Sequence, residues 1–207
     1  PPGYPPALPP CLAAFVANTW PSPARLTVTR GGTTLDVTAF GRIVDNAVPD
    51  AASWAPVPVD GVPAGAVAVL FLSSDPDAIM PENGVDLSCP ITPAVDASTV
   101  VRGAGIGDAF VIASDVPVRA YDILPYGGAS SYLPSATLLF PSTAWGTNYF
   151  ALSPHPLNSG SLWALVVAAE DGTTVQINPP VTLPGGTGVA PAPASQTTSY
   201  TVNRGEI

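Results

Sequence analysis

An antiparallel all-β protein is what this sequence predicts, and three observations carry the expectation. Proline supplies 27 of the 207 residues; each one fixes φ and removes a backbone donor, so long helices are nearly excluded. Between the prolines stand short runs rich in Val, Thr, Ile and aromatics, the composition of half-buried strands. Gly-Gly and Asp-Gly pairs separate several of these runs at hairpin spacing. With 46% hydrophobic and only 10% charged residues, the chain is long and apolar enough to bury a core, unlike a disordered sequence.

Taken in order, residues 1–10 read as a Pro-rich extended segment. Arg25–Arg30 and Thr33–Phe40 alternate apolar and polar residues about Gly31-Gly32, a two-residue hairpin signal. Ala66–Leu72 is a continuous apolar run, as expected of a strand covered on both faces. Phe110–Ala113 and Val118–Ile123 flank Ser114-Asp115-Val116-Pro117, a turn that reads as a further hairpin. Leu162–Ala169 and Thr173–Asn178 flank Glu170-Asp171-Gly172, a second tight-hairpin signal, and Tyr200–Asn203 closes the series. Long Pro-, Gly- or Ser-rich stretches at Asp75–Pro93, Leu124–Pro134 and Pro179–Thr198 are loops.

Two of the hairpins align without gaps. Leu26–Val37 and Val166–Ile177 share Gly-Thr-Thr followed by apolar, polar, apolar residues. Phe15-Val16-Ala17 has a counterpart in Tyr149-Phe150-Ala151, and the stretch from Gly61 to Val67 one in that from Tyr200 to Glu206. The alternative is convergence, since Gly-Thr-Thr suits any hairpin; the ordered flanking matches favour duplication. The division expected is 11–134 for a first β unit and 135–207 for a second, which on this alignment would be incomplete, its last strand expected to lead onward. The fold expected is a tandem of antiparallel β-sandwich-like units, with propeller-like blades as the alternative arrangement of the same strands.

Charge excludes several functions. The formal net charge is −9, lysine is absent, and the six arginines are scattered. Nothing here neutralises a run of phosphates, so neither nucleic acid nor an anionic lipid surface is an expected partner. No apolar run reaches the length of a membrane helix, so no membrane insertion is expected. Cys11 and Cys89 lack metal-ligand spacing; a disulfide closing a long loop fits, and implies an oxidising compartment. Two buried thiols, or a cysteine bonded elsewhere, are the alternatives.

Catalytic chemistry finds little purchase. The one histidine, His155, stands between two prolines in a turn, and no nucleophile elbow occurs. Asp115 and Asp122 are better read as turn and strand-edge carboxylates than as a glycosidase pair. No cofactor is expected; the acidic stretch Asp75–Asp86 is the one calcium candidate, but Pro76 and Pro81 restrict its wrapping and a solvated loop is the stronger reading. Among aromatics that could form a glycan platform, Trp20, Trp54, Trp145 and Trp163 compete with core roles, strongest for Trp145 and Trp163. Tyr126 and Tyr132, on the Gly/Ser frame of Leu124–Pro134, are the better candidates for an exposed binding loop.

Four segments succeed one another in a recognisable order: Ser114–Ile123, Ser135–Tyr149, Val166–Val175 and Tyr200–Glu206. The series resembles the IgGFc-binding-protein N-terminal domain family, including bacterial, notably myxobacterial, relatives. The resemblance implies an extracellular or cell-surface β-rich module used in adhesion, with no enzymatic activity and no cofactor. Immunoglobulin binding belongs to the animal member that named the family, and no binding residue is defined that could be matched here. The function expected is non-catalytic binding of a protein or glycan ligand. The alternatives are a structural subunit of a surface layer or fibre, self-associating through strand edges, and, weaker, a secreted glycan-active enzyme.

Overall fold

The computed structural model describes residues 10–75, 87–101, 103–127, 135–151 and 164–207. Within them run β1 (Leu12–Ala17), β2 (Leu26–Arg30), β3 (Thr33–Leu35), β4 (Gly41–Ile43), β5 (Val67–Ser73), β6 (Val111–Ser114), β7 (Arg119–Leu124), β8 (Ser135–Leu139), β9 (Thr173–Ile177) and β10 (Thr198–Val202). Helix is confined among these residues to one turn, α1 (Val37–Phe40), and to 3-10 turns at Ala51–Ser53 and Ser142–Ala144. The protein is all-β, as its prolines and strand-forming runs require. It divides into two compact units, one from Pro1–Val100 with Phe110–Leu139, the other from Val101–Ala109 with Phe140–Ile207.

The first unit is a two-layered sandwich. One sheet has the order β4-β5-β1-β7-β8 and the other β3-β2-β6, with every neighbouring pair antiparallel. Alternation along β1 and β5 sends Ala14 and Val16, Ala68, Leu70 and Leu72 toward Val28 of the smaller sheet, with Phe40 and Val62 closing the cluster. The opposite face of the same strands buries Ala13, Val69 and Phe71 beneath Cys11, Ala51, Trp54 and Ile91. β5 is therefore covered on both faces, as its unbroken apolar run predicts, and six of its seven residues are buried.

Gly31 and Gly32 both take positive φ, 53° and 75°, the requirement of a two-residue turn whose twist matches its strands. Other expectations need correction. The second strand of that hairpin stops at Leu35, because Asp36 caps a helical turn instead: its carboxylate accepts the Thr38 N–H at 3.0 Å. Asp115-Val116-Pro117 is a crossover between sheets, since β6 pairs with β2 and β7 with β1. There Asp115 Oδ1 accepts the Arg25 N–H at 2.8 Å while Val116 and Val118 turn into the core.

In the second unit no ladder forms across Asp171-Gly172: β9 pairs with β10, and the described part of the preceding apolar run, 164–169, is not a strand, its first four residues being exposed and Ala168 making an isolated bridge to Arg204. Side chains fix this turn to the end of β10. Asp171 Oδ1 accepts the Arg204 N–H at 3.0 Å, and Asn203 Oδ1 accepts the Gly172 N–H at 3.1 Å. Glu206 in turn accepts the Asn203 N–H at 2.7 Å. The Asn-Arg-Gly-Glu motif is thus a hydrogen-bonded knot that locks a strand end. The second unit holds, among the described residues, a two-stranded ribbon and isolated bridges rather than a second sandwich. The segments aligned as repeats also differ in form: 15–17 lie in a central strand, whereas 149–151 are irregular.

Candidate binding surface

Cys11 and Cys89 form a disulfide, with Sγ atoms 2.04 Å and Cα atoms 4.7 Å apart. It ties residues 87–91 over the sheet face that buries Phe71. Tyr126, expected on an exposed loop, is turned inward under this cover. Its ring meets Phe71 edge-on at 4.9 Å and lies against Phe15 at 6.1 Å, and its N–H is held by the Cys11 carbonyl at 2.9 Å. Burial, with the Asp50 carboxylate adding to it, pushes the phenol above its ordinary value. The apolar ring gains more from the Phe15–Phe71 pocket than a Gly/Ser frame signals. Tyr132, His155, Trp163 and all of the calcium candidate except Asp75 lie outside the described residues. Among the described residues no group of three or more His, Cys, Asp or Glu stands together as metal ligands would.

The other sequence candidates separate cleanly. Asp115 and Asp122 both accept backbone N–H groups, from Arg25 and Thr137. Trp54 is half-buried and donates its indole N–H to the Val48 carbonyl at 2.7 Å, whereas Trp20 is exposed. Trp145, expected in the core, is 42% exposed. It follows a 3-10 turn just as Trp54 does, and its indole N–H returns to the Phe140 carbonyl at 3.2 Å. A cleft of about 240 Å³ opens beside β2 and β3, lined by Arg25, Thr27, Thr34, Asp36, Val57 and Val59. That mixture is not selective for one ligand chemistry.

The surface that stands out is the stretch 140–150, in which Phe140 is 66%, Tyr149 69% and Phe150 94% exposed, alongside Trp145. Large aromatics are normally withdrawn from water, and a cluster left outside marks a contact surface. The stretch is uncharged, with Ser142, Thr143, Thr147 and Asn148 between the rings. It is also internally braced: the Tyr149 hydroxyl accepts the Gly146 N–H at 2.7 Å, closing the turn that Trp145 begins. Two aromatic side chains held by hydrogen bonds lose less freedom on binding than free ones. Sequence reading missed this cluster because an aromatic beside a strand is more often core; the preceding Pro141-Ser142 turn was the available signal.

No helix among the described residues is long and apolar enough to cross a membrane. No curated protein and no solved structure matches the chain. Residues 135–207, which hold β8, the aromatic stretch, β9, β10 and the Asn-Arg-Gly-Glu knot, match the family model described as IgGFc binding protein, so the resemblance read from the sequence is found over that part of the chain.

Proposed function

We propose that the chain is a non-catalytic binding module of extracellular type, and that residues 140–150 form its contact surface. The observation that carries the reading is the uncharged stretch of exposed aromatics Phe140, Trp145, Tyr149 and Phe150, with the Trp145 indole and the Tyr149 hydroxyl held by hydrogen bonds, which lies within the family-matching residues. Aromatic anchors surrounded by small polar groups are the composition of interface centres and of sugar-stacking platforms. The Cys11–Cys89 disulfide supports an oxidising location, secreted or at the cell surface. The family's description supports a protein as the first ligand class to try, with glycans second.

The test is a binding screen of the whole chain against immobilised extracellular proteins, immunoglobulin Fc included, and a glycan array. Trp145→Ala, Tyr149→Ala and Phe150→Ala are run beside the parent. A bound ligand whose affinity falls about tenfold or more with Tyr149→Ala or Phe150→Ala supports the reading. A ligand bound equally well by all three variants, or one consumed during the assay, overturns it.

A further inference from the structure

We infer that the second unit holds a strand-accepting seat whose occupant is the chain's own segment 103–109, and that the family-matching residues depend on this strap although the match leaves it out. In sequence the strap lies between β5 and β6, both strands of the first unit. In space it belongs to the second, where Val101–Ala109 is grouped with Phe140–Ile207. The family match covers 135–207.

Two parts of 135–207 build the seat. The first is the stretch after β10. On one side it is held by Ala168, whose carbonyl accepts the Gly205 N–H at 3.1 Å and whose N–H reaches the Glu206 carbonyl at 3.4 Å. Its other side takes the strap. Gly107 N–H donates to the Ile207 carbonyl at 2.9 Å, Ile207 N–H returns to the Gly107 carbonyl at 3.0 Å, and Ala109 N–H donates to the Gly205 carbonyl at 2.7 Å. These are the bonds of a short antiparallel ladder, with Asp108 opposite Glu206 at its centre.

The second part lies in 179–198, which composition reads as a loop. Leu183 and Ala192 exchange backbone bonds of 2.9 and 3.1 Å, and Gly186 and Val189 do the same at 2.9 and 3.1 Å. The stretch is therefore a tight hairpin with Thr187-Gly188 at its tip, anchored by the fully buried Ala192. At the tip, the Thr187 carbonyl accepts the Ile106 N–H at 3.3 Å, and Gly105 bridges Thr187 in the parallel sense. A Cβ at Gly186 would overlap the Ala104 carbonyl oxygen, so only glycine lets the two backbones meet there. The seat thus recognises an extended backbone with small residues at alternate positions, supplied by Gly105, Gly107 and Ala109. Main-chain hydrogen bonds carry such recognition. Without the strap, the Ile207 N–H and the carbonyls of Gly205, Ile207 and Thr187 lose these partners, and the Asn-Arg-Gly-Glu knot loses the strand beside Glu206.

Residue-resolved hydrogen exchange on the whole chain, in a series of low urea concentrations, tests this. In the parent, the Gly107, Ala109 and Ile207 amides are expected to open as one event, with a common free energy and urea dependence, below the opening of β1 and β5. Two variants then challenge the contact from either side: Gly186→Val on the seat and Gly107→Pro on the strap. Each should speed exchange about tenfold or more at Ile207 and Ala109, residues it does not alter, while β1 and β5 stay as they were. Ile207 keeping its protection in both variants overturns the inference. So does a parent in which Gly107 and Ala109 exchange at unprotected rates while Ile207 stays protected. Should a variant fail to fold, the parent decides alone, since its three amides either open together or do not. The ligand screen above is read independently, because its variants touch neither strap nor seat.

Discussion

The two units reach order by different means. In the first, apolar side chains from two sheets and from a disulfide-held cover bury most of β1 and β5, down to Val69, Leu70 and Phe71 with no exposed surface. In the second, the buried apolar side chains among the described residues are Ala168, Ala192 and Val202, with Pro179 beside them, and the ordering falls to hydrogen bonds from Asp171, Asn203 and Glu206. A core is specified by pattern and excludes water. A hydrogen-bonded ribbon is specified by a few side chains and leaves its surface free for contact. The family match falls mainly on the second kind, where aromatics remain outside.

The contrast is breakable at several points. The largest effect is expected from Cys11→Ala with Cys89→Ala. The closed loop spans 78 residues, so chain-entropy reasoning gives a loss of about 4 kcal/mol on denaturant unfolding. Next comes Asn18→Ala. Asn18 is 1% exposed; its amide donates to the Ser22 and Val62 carbonyls at 2.9 and 2.8 Å and its oxygen accepts the Trp20 N–H at 2.9 Å. Leaving those groups unpaired should cost about 3 kcal/mol in the same measurement. If either substitution in the first unit proves silent, the buried-core account of that unit fails.

Asp171→Ala sharpens the other side. It frees one backbone donor at an exposed turn, so a loss of about 1 kcal/mol is expected, read as faster amide exchange around Arg204. A loss as large as that of Asn18→Ala would mean the second unit has a core after all. The smallest effect concerns Tyr126. Burial first, then Asp50, raises its phenol above the usual value of about 10. The folded state therefore holds this proton more tightly than the unfolded chain does. The stabilisation is fully present below about pH 10 and is lost as pH rises through the folded value. Tyr126→Phe should flatten that alkaline slope and remove one late-ionising phenol from the ultraviolet titration of the parent.

How far the sequence revealed this architecture also divides by unit. Ala66–Leu72 announced a doubly covered strand because an unbroken apolar run has few other uses. Gly31-Gly32 announced its turn because only glycine takes positive φ there at no cost. Pairing partners were not legible. Val116 and Val118 look like hairpin residues until a second layer is available to bury them, and only then does their turn become a crossover. Trp145 and Tyr126 exchanged the environments expected of them for a related reason. Local pattern shows that a ring is apolar, whereas the Phe15–Phe71 pocket that takes up Tyr126 is assembled from strands far apart in sequence. The Asn-Arg-Gly-Glu motif was visible as a motif, but its work, capping a strand end against Asp171 and Gly172, required the fold.

Hydrogen exchange across the whole chain, read by mass spectrometry at low protein concentration, tests the contrast most directly. The account expects the slowest amides in β1 and β5, with protection near that of global unfolding, and fast exchange in 140–151 and 164–167, with β9 and β10 between. Equal protection in both units, or slower exchange in 140–151 than in β5, would contradict it.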